Sequence, residues 1–440
     1  MSDMLREVET SAMHESGAGA PAAEPPMRPF LVLWSGQAIS LIGSRAVAFA
    51  LIWWLTVQTG SASILATATL LALLPQIVLG PVAGALVDRW NRKLTMLVAD
   101  TAVALLSAIL AWLFYVGAVN VPLILGIMLL RSVGGAFQRP AMTASTSLMV
   151  PKRHLTRIQG FNQMLQGGMN IVSAPLGAVL MAVFSWPVVV MMDVYTAVFG
   201  VGALLFTRVP EPERSEAAGA GPRRPSLGPA MAAGFRYLRE RRGHLSLIGL
   251  AALINLCLVP AFSLLPLFVR GALGGEAAQL AWISAAFGVG SMLGGLALGA
   301  WGGFKRRILT SLSGIVGIGA ATLALSATPA SLPAAAGVAV FVLGLVVPMA
   351  NGPIIAVMQA TVAPDYQGRI FTLMGSISAG MTPLGLALAG PIADLIGIRM
   401  WYVIGGSVCL AVGLAAFFIK DIMDIESTPA PAAPSVLESA

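Results

Sequence analysis

From Phe30 onward the chain alternates long, predominantly apolar stretches with short polar turns. A helix rising about 1.5 Å per residue needs about 20 apolar residues to cross a hydrocarbon layer about 30 Å thick, so each stretch predicts a membrane-spanning α-helix. Twelve stretches qualify. They cover residues 30–55, 64–87, 94–116, 121–143, 160–183 and 187–207, then 245–269, 279–301, 308–327, 333–355, 370–394 and 400–419. The only long polar interruption, Arg208 to His244, divides them six and six. The expected fold is an all-α membrane protein of two six-helix bundles, residues 30–207 and 245–419, joined by a cytoplasmic linker, 208–244. Residues 1–29 and 420–440 lack an apolar period and read as a disordered leader and tail.

Composition agrees and removes other classes. The chain is 57% hydrophobic and 10% charged, with mean hydropathy +0.85. A soluble domain carries about 25% charged residues, so a soluble enzyme is excluded. The net charge of +7 is explained by topology. If both termini are cytoplasmic, 22 of the 26 Lys and Arg residues lie in segments on that side. Only Arg270 and Arg399 lie opposite, while Arg45 and Arg131 fall within spans. That asymmetry places the basic face in the cytoplasm of a cell with the chain in its inner membrane. The basic residues form no stripe, so nucleic acid is not an expected partner. In the linker, Met231, Phe235 and Leu238 recur at helical spacing beside Arg236, Arg239, Arg241 and Arg242. Both an interfacial helix on an anionic leaflet and a plain solvated linker fit that pattern.

Catalytic chemistry finds no residues. Cys257 and Cys409 sit inside apolar runs and read as core. His14, His154 and His244 all lie outside the spans, and no Gly-Lys dipeptide supplies a phosphate-binding loop. No metal, cofactor or enzymatic activity is expected.

The halves repeat one another. Gly80 to Lys93 (GPVAGALVDRWNRK) aligns without gaps on Gly294 to Arg307 (GGLALGAWGGFKRR). Pro140 to Pro151 matches Pro353 to Pro364, and Pro175-Leu176-Gly177 answers Pro383-Leu384-Gly385. Two copies in one orientation imply a pseudo-twofold axis along the membrane normal, with a cavity between halves that rock.

Charges buried in the spans demand a reason, because an unpaired charge at the bilayer centre is costly. Asp100 lies at a depth comparable with Arg139, and Asp193 is roughly level with Arg45 and Arg131. An Asp whose Arg partner changes with conformation can take up and release a proton. Asp193 with Arg131 or Arg45 is therefore the expected coupling element, against the alternative that Asp100 and Asp193 are structural partners of arginines. Asp394 lies near the end of its span.

The segment Gly84-Ala-Leu-Val-Asp88-Arg89-Trp-Asn-Arg92-Lys93 resembles the major facilitator superfamily signature of the loop after the second helix, G-x-x-x-D-R-x-x-R-K. In the family this loop is a conformational latch, and the resemblance implies that Asp88 faces a helix N-terminus of the other half in the outward-facing state. Gly84 would let a neighbouring helix approach closely. The second copy has Gly302 and Gly303 in place of Asp88 and Arg89, so the latch is expected on one side only. Arg131-Ser-Val-Gly-Gly135 resembles the R-x-x-x-G motif associated with proton coupling in antiporters. Gly167-Gly168 and Ala174-Pro175-Leu176-Gly177 resemble the Gly/Pro motif of exporters, with Ala174 where the family has Gly, and are expected at a seam between the halves.

Several stretches from Leu33 to Phe417 resemble the macrolide-efflux branch of drug exporters: LWSGQAISL, LLRSVGGAFQRPA and, most distinctively, APDYQGRIFTLMGSI at 363–377. The resemblance implies a monomeric exporter of amphipathic small molecules, exchanged for protons across the lipid bilayer. Two alternatives are an exporter of an endogenous natural product or siderophore, and a non-transporting membrane partner of a resistance system. The family's first, fourth, seventh and tenth helices line the cavity. On that basis Ser35, Gln37, Ser40, Asn255 and Asn351 are expected to offer hydrogen bonds, and Phe262, Trp53 and Trp54 apolar contact, although the two tryptophans also fit as interface anchors.

Overall fold

The computed structural model describes residues 27–87, 89–210, 236, 238, 241–362 and 364–426. Twelve helices among them are long and apolar enough to cross a membrane, and the chain is a multi-pass membrane protein. In chain order they are α1 (Met27–Thr59), α2 (Ala62–Val87), α3 (Arg92–Tyr115), α4 (Val121–Met149), α5 (Leu155–Val183), α6 (Trp186–Phe206), α7 (Arg242–Ser263), α8 (Ala277–Trp301), α9 (Arg307–Ser326), α10 (Pro333–Thr361), α11 (Pro364–Ile396) and α12 (Ile398–Ala416).

Every predicted span is found, but several ends move. α4 and α10 run through Pro140 and Pro353 to Met149 and Thr361, each 29 residues long and each ending on an extended valine, Val150 or Val362. α11 begins at Pro364, six residues before the predicted start, and has 33 residues. Proline inside a membrane helix is tolerated because neighbouring helices satisfy the freed backbone groups, so these prolines do not stop the helices. The seventh span, expected to reach residue 269, instead breaks after Ser263. A short turn containing Pro266 follows, and then a wide π-type turn, Phe268–Ala272.

The repeat extends to the helix ends. α2 stops at Val87 and α8 at Trp301, which are aligned positions. The next two residues of the second copy, Gly302 and Gly303, take left-handed φ of 77° and 81°. Glycine adopts that backbone without strain, so the second copy turns on conformation where the first carries charge.

Within the first half, α1 packs on α6 and α5, α2 on α4, and α3 on α4 and α6. In the second half, α10 lies between α8 and α9, α9 meets α12, and α7 meets α11 and α12. Two seams join the halves, α2 against α11 and α5 against α8. Gly288 of α8 makes the latter possible: a Cβ there would sit 2.7 Å from Ile171 and 3.2 Å from the Asn170 backbone.

The ends of the bundle differ. We call the end carrying the Arg89–Lys93 turn the basic end and the other the far end. At the far end Trp53, Ala62 and Leu65 of the first half share one buried cluster with Leu264, Phe268, Ala389 and Ala393 of the second. Towards the basic end the first-half cluster around Phe30, Met96 and Met149 and the second-half cluster around Ile308, Leu312 and Met358 contain residues of their own half alone. The halves are therefore sealed at the far end and apart at the basic end.

Of the expected tail, residues 420–426 are built into the second half. Ile422 and Ile425 are buried, and the Glu426 carboxylate accepts from the Arg307 and Ile308 amides at the start of α9. Leu238, assigned to the linker, is fully buried in the second-half cluster, and His244, also assigned there, lies inside α7. The leader through residue 26, most of the linker including Met231 and Phe235, and the tail from residue 427 lie outside the described residues.

Candidate functional site

A cavity of about 440 Å³ opens within the first half, lined by α1 to α6. Its walls are unusually polar for a membrane interior: Gln37, Ser40, Ser44, Gln76, Gln138, Asn162 and Gln166 surround the charged Asp100, Arg131, Arg139 and Asp193. Small residues open the space. Gly43 of α1 is so close to α6 that a Cβ would overlap Thr196, and Gly134 of α4 would place one 2.8 Å from Val103 of α3. Gly135, by contrast, has nothing within 4 Å and lines the cavity.

The two intramembrane aspartates stand in different surroundings. Asp193 of α6 is 1% exposed and saturated with donors. Its Oδ1 accepts from Ser44 Oγ at 2.6 Å; its Oδ2 accepts from Ser107 Oγ at 2.6 Å and meets Arg131 Nη1 at 2.6 Å. Arg131 also bonds Ser107 Oγ. Four helices converge on one carboxylate, which is how a buried charge is held at tolerable cost. The expected pairing of Asp193 with Arg131 is present, and Arg45 takes no part in it.

Asp100 of α3 faces the cavity. Gln37 Nε2 donates to its Oδ2 at 2.7 Å, and Gln138 Nε2 donates to Gln37 Oε1 at 2.9 Å. Among the described residues no cation pairs with it. Arg139 lines the same cavity, as its depth suggested, but makes no ion pair with Asp100. Arg45 and Arg139 are both exposed, with no hydrogen bond from either guanidinium among the described residues.

The second-half candidates do not reach this cavity. Asn255 donates to Ala251 O within its own helix, Phe262 meets Phe287 edge to face at 4.5 Å, and Asn351 is exposed elsewhere. Ser35 bonds Val32 O, Trp53 belongs to the far-end seal, and Trp54 packs on Phe114. Gln37 and Ser40 alone of the predicted substrate contacts line it. Gln138, Asn162, Gln166 and Gln76 were not anticipated; each is an amide interrupting an apolar helix, the signal that could have found them.

The basic turn is braced on its own half. Arg92 is buried and donates to Ala144 O, Lys93 donates to Leu205 O, and Trp90 stacks on Phe137. Arg89 is exposed and Asp88 lies outside the described residues. Gly84 has nothing within 4 Å, so in this conformation it makes no close helix approach, contrary to expectation: the halves are parted at this end. Gly177 is likewise corrected. It packs against Phe49 and Ala46 of α1, inside the first half. The seam contact expected of that segment is made by Ala174 and Ala178 against Ala281. No group of metal-binding residues occurs among the described residues.

Comparison with known proteins places this geometry. The profile of the major facilitator superfamily matches residues 33–386. Macrolide efflux protein A of Streptococcus pyogenes is 33% identical over 406 residues, covering 90% of this chain and 97% of that protein. Multidrug efflux pump Tap of Mycolicibacterium fortuitum is 27% identical, over 92% of this chain and 98% of its own. Among solved structures, the nucleoside transporter NupG superposes with a TM-score of 0.66 at 12% identity, covering 88% of this chain and 98% of its own. A bacterial homologue of the human lysosomal transporter Spinster, in an inward-facing, unoccupied conformation, superposes with a TM-score of 0.65 at 17% identity, covering 92% and 99%.

Proposed function

We propose that this chain, which belongs to the major facilitator superfamily, exports bulky amphipathic compounds of the macrolide kind by alternating access, in exchange for protons. It is a transporter and not an enzyme. The observation that carries the exchange is Asp100: a carboxylate inside a span, facing a cavity of about 440 Å³, held by one amide and no cation among the described residues. A protonated amine on the substrate and a proton compete for such a group, and competition for one site is the simplest basis for exchange. Asp193 is a weaker candidate than its depth suggested, because two hydroxyls and Arg131 already occupy it. We assign the Asp193–Arg131 pair to holding α1, α3, α4 and α6 together.

The basic end is assigned to the cytoplasm by the Lys and Arg asymmetry, with both termini on that side. The parted basic end then corresponds to loading from inside, as an exporter requires. The test is pH-gradient-driven macrolide flux in proteoliposomes. Asp100→Asn is expected to lower flux at least about tenfold while Asp193→Asn chiefly lowers stability. Flux in the unsubstituted protein that survives collapse of the proton gradient would overturn the exchange, and flux of no macrolide would overturn the substrate class. One observation favours a second reading. Arg139, exposed and lining the cavity with no hydrogen bond or ion pair among the described residues, suits an acidic group, so an acidic natural product belongs in the same flux panel.

A further inference from the structure

Among the described residues the far-end seal contains one charged contact between the halves, and it caps a helix. Asp394, two residues before the end of α11, reaches across to the first turn of α2. Its Oδ1 accepts from the Ala62 amide at 2.6 Å, and its Oδ2 accepts from the Ser63 amide at 3.0 Å and from Ser61 Oγ at 3.0 Å. The first amides of a helix have no partner within it, and the helix dipole makes that end favourable for an anion. Of the first three amides of α2, the local cap Ser61 serves only Ile64, at 3.4 Å, and the other two depend on a residue of the opposite half, more than 330 positions away in sequence. Gly390, one turn earlier on α11, brings the helices together: a Cβ there would sit 2.7 Å from the Ser63 Cα.

We infer that Asp394 is a gating residue, the latch of the far end, which holds the halves closed there and releases α2 when the transporter opens to that side. The inference rests on the alternating-access reading above. Opening the far end must separate α2 from α11, and that breaks three bonds to one carboxylate at once and strips the cap from α2. The arrangement mirrors the basic-end turn. α2 and α11 run antiparallel; Asp88 follows the C-terminus of α2 and Asp394 closes the C-terminus of α11. Asp394 stands at the end of the bundle where α2 begins, and the turn that follows Val87 lies at the end where α11 begins. If the family's latch role carries over to Asp88, one pair of helices is clasped at alternate ends in alternate states. Asp394 is then the residue whose loss biases the cycle towards far-end opening.

The experiment is a distance measurement across the far end. Spin labels are placed at the exposed Gln58 of α1 and Leu332 before α10, in a background carrying Cys257→Ser and Cys409→Ser. The protein is in nanodiscs, without substrate or proton gradient. Asp394→Asn and Asp394→Ala are expected to raise the far-end-open population at least about fivefold, with Ser61→Ala giving a smaller rise and Asp394→Glu remaining near the unsubstituted protein. A merely structural aspartate would lower the melting temperature without moving the distance distribution. Populations in both Asn and Ala variants that match the unsubstituted protein, or an equal rise in the Glu variant, overturn the latch. Should the Ala variant fail to fold, Ser61→Ala and Asp394→Asn decide. Because no flux is measured, failure of the exporter reading leaves this result readable.

Discussion

The two halves match in the length of α4 and α10 and in the aligned ends of α2 and α8, yet they place their intramembrane charges differently. The first half carries Arg45, Asp100, Arg131, Arg139 and Asp193 inside its spans, four of them lining one cavity. The second half has Asp394 near one end and Arg399 at the far-end turn. There Arg399 donates to the Ser326, Thr328 and Ala272 carbonyls and ties the turns together. Elsewhere its buried polar groups among the described residues are hydroxyls and His244 rather than carboxylates or guanidiniums, set in an apolar cluster running from Leu247 through Ile315 to Met358. Among the described residues, the charges inside the spans thus gather in one repeat. Small-residue packing is common to both: Gly36 and Gly177 in the first half, like Gly290, Gly294, Gly314 and Gly344 in the second, bring helix backbones into direct contact.

That contrast can be broken most severely at its polar centre. Arg131→Ala leaves Asp193 buried without its cation and is expected to cost about 3–5 kcal/mol, read as a loss of thermal stability in detergent. A smaller effect tests the second half. Gly290→Ala drives a methyl to 2.2 Å from the Phe341 carbonyl oxygen, so α8 and α10 must part, at about 1–3 kcal/mol in the same melt. The smallest effect is the sharpest on division of labour. Asn255 bonds only its own helix, and Asn255→Ala is expected to change stability by less than about 0.5 kcal/mol and to leave drug flux unchanged. A large flux defect there would return the second half to the substrate site.

Depth was legible in the sequence, and direction was not. Counting 1.5 Å per residue placed Asp193 level with both Arg131 and Arg45, but each residue also turns the helix by about 100°, and only packing fixes where that turn begins. Gly43 against Thr196 sets the rotation of α1 on α6, leaves Arg45 away from Asp193, and brings Ser44 to it. The same limit hid the Gln138–Gln37–Asp100 chain, whose members come from three helices. The repeat could be read because both copies end helices at aligned residues. The full length of α4 and α10 could not, because their last turns, 144–149 (ASTSLM) and 356–361 (AVMQAT), mix hydroxyl and amide residues with apolar ones and so lose the run that marks a span while staying helical. Asp394 was visible as a charge near a span end, but its partner is the start of a helix in the other bundle, which no local pattern announces.

The far-end seal has an electrical consequence. If the basic end faces the cytoplasm and water fills the cavity from that side, the membrane voltage falls mainly across the packed layer of Trp53, Leu65, Leu264 and Phe268 rather than across the full bilayer. Moving one elementary charge through that drop is worth about 2.3 kcal/mol per 100 mV. The seal then acts as a thin insulator, and on the proton-exchange proposal whatever opens it decides when the voltage acts on a proton held at Asp100.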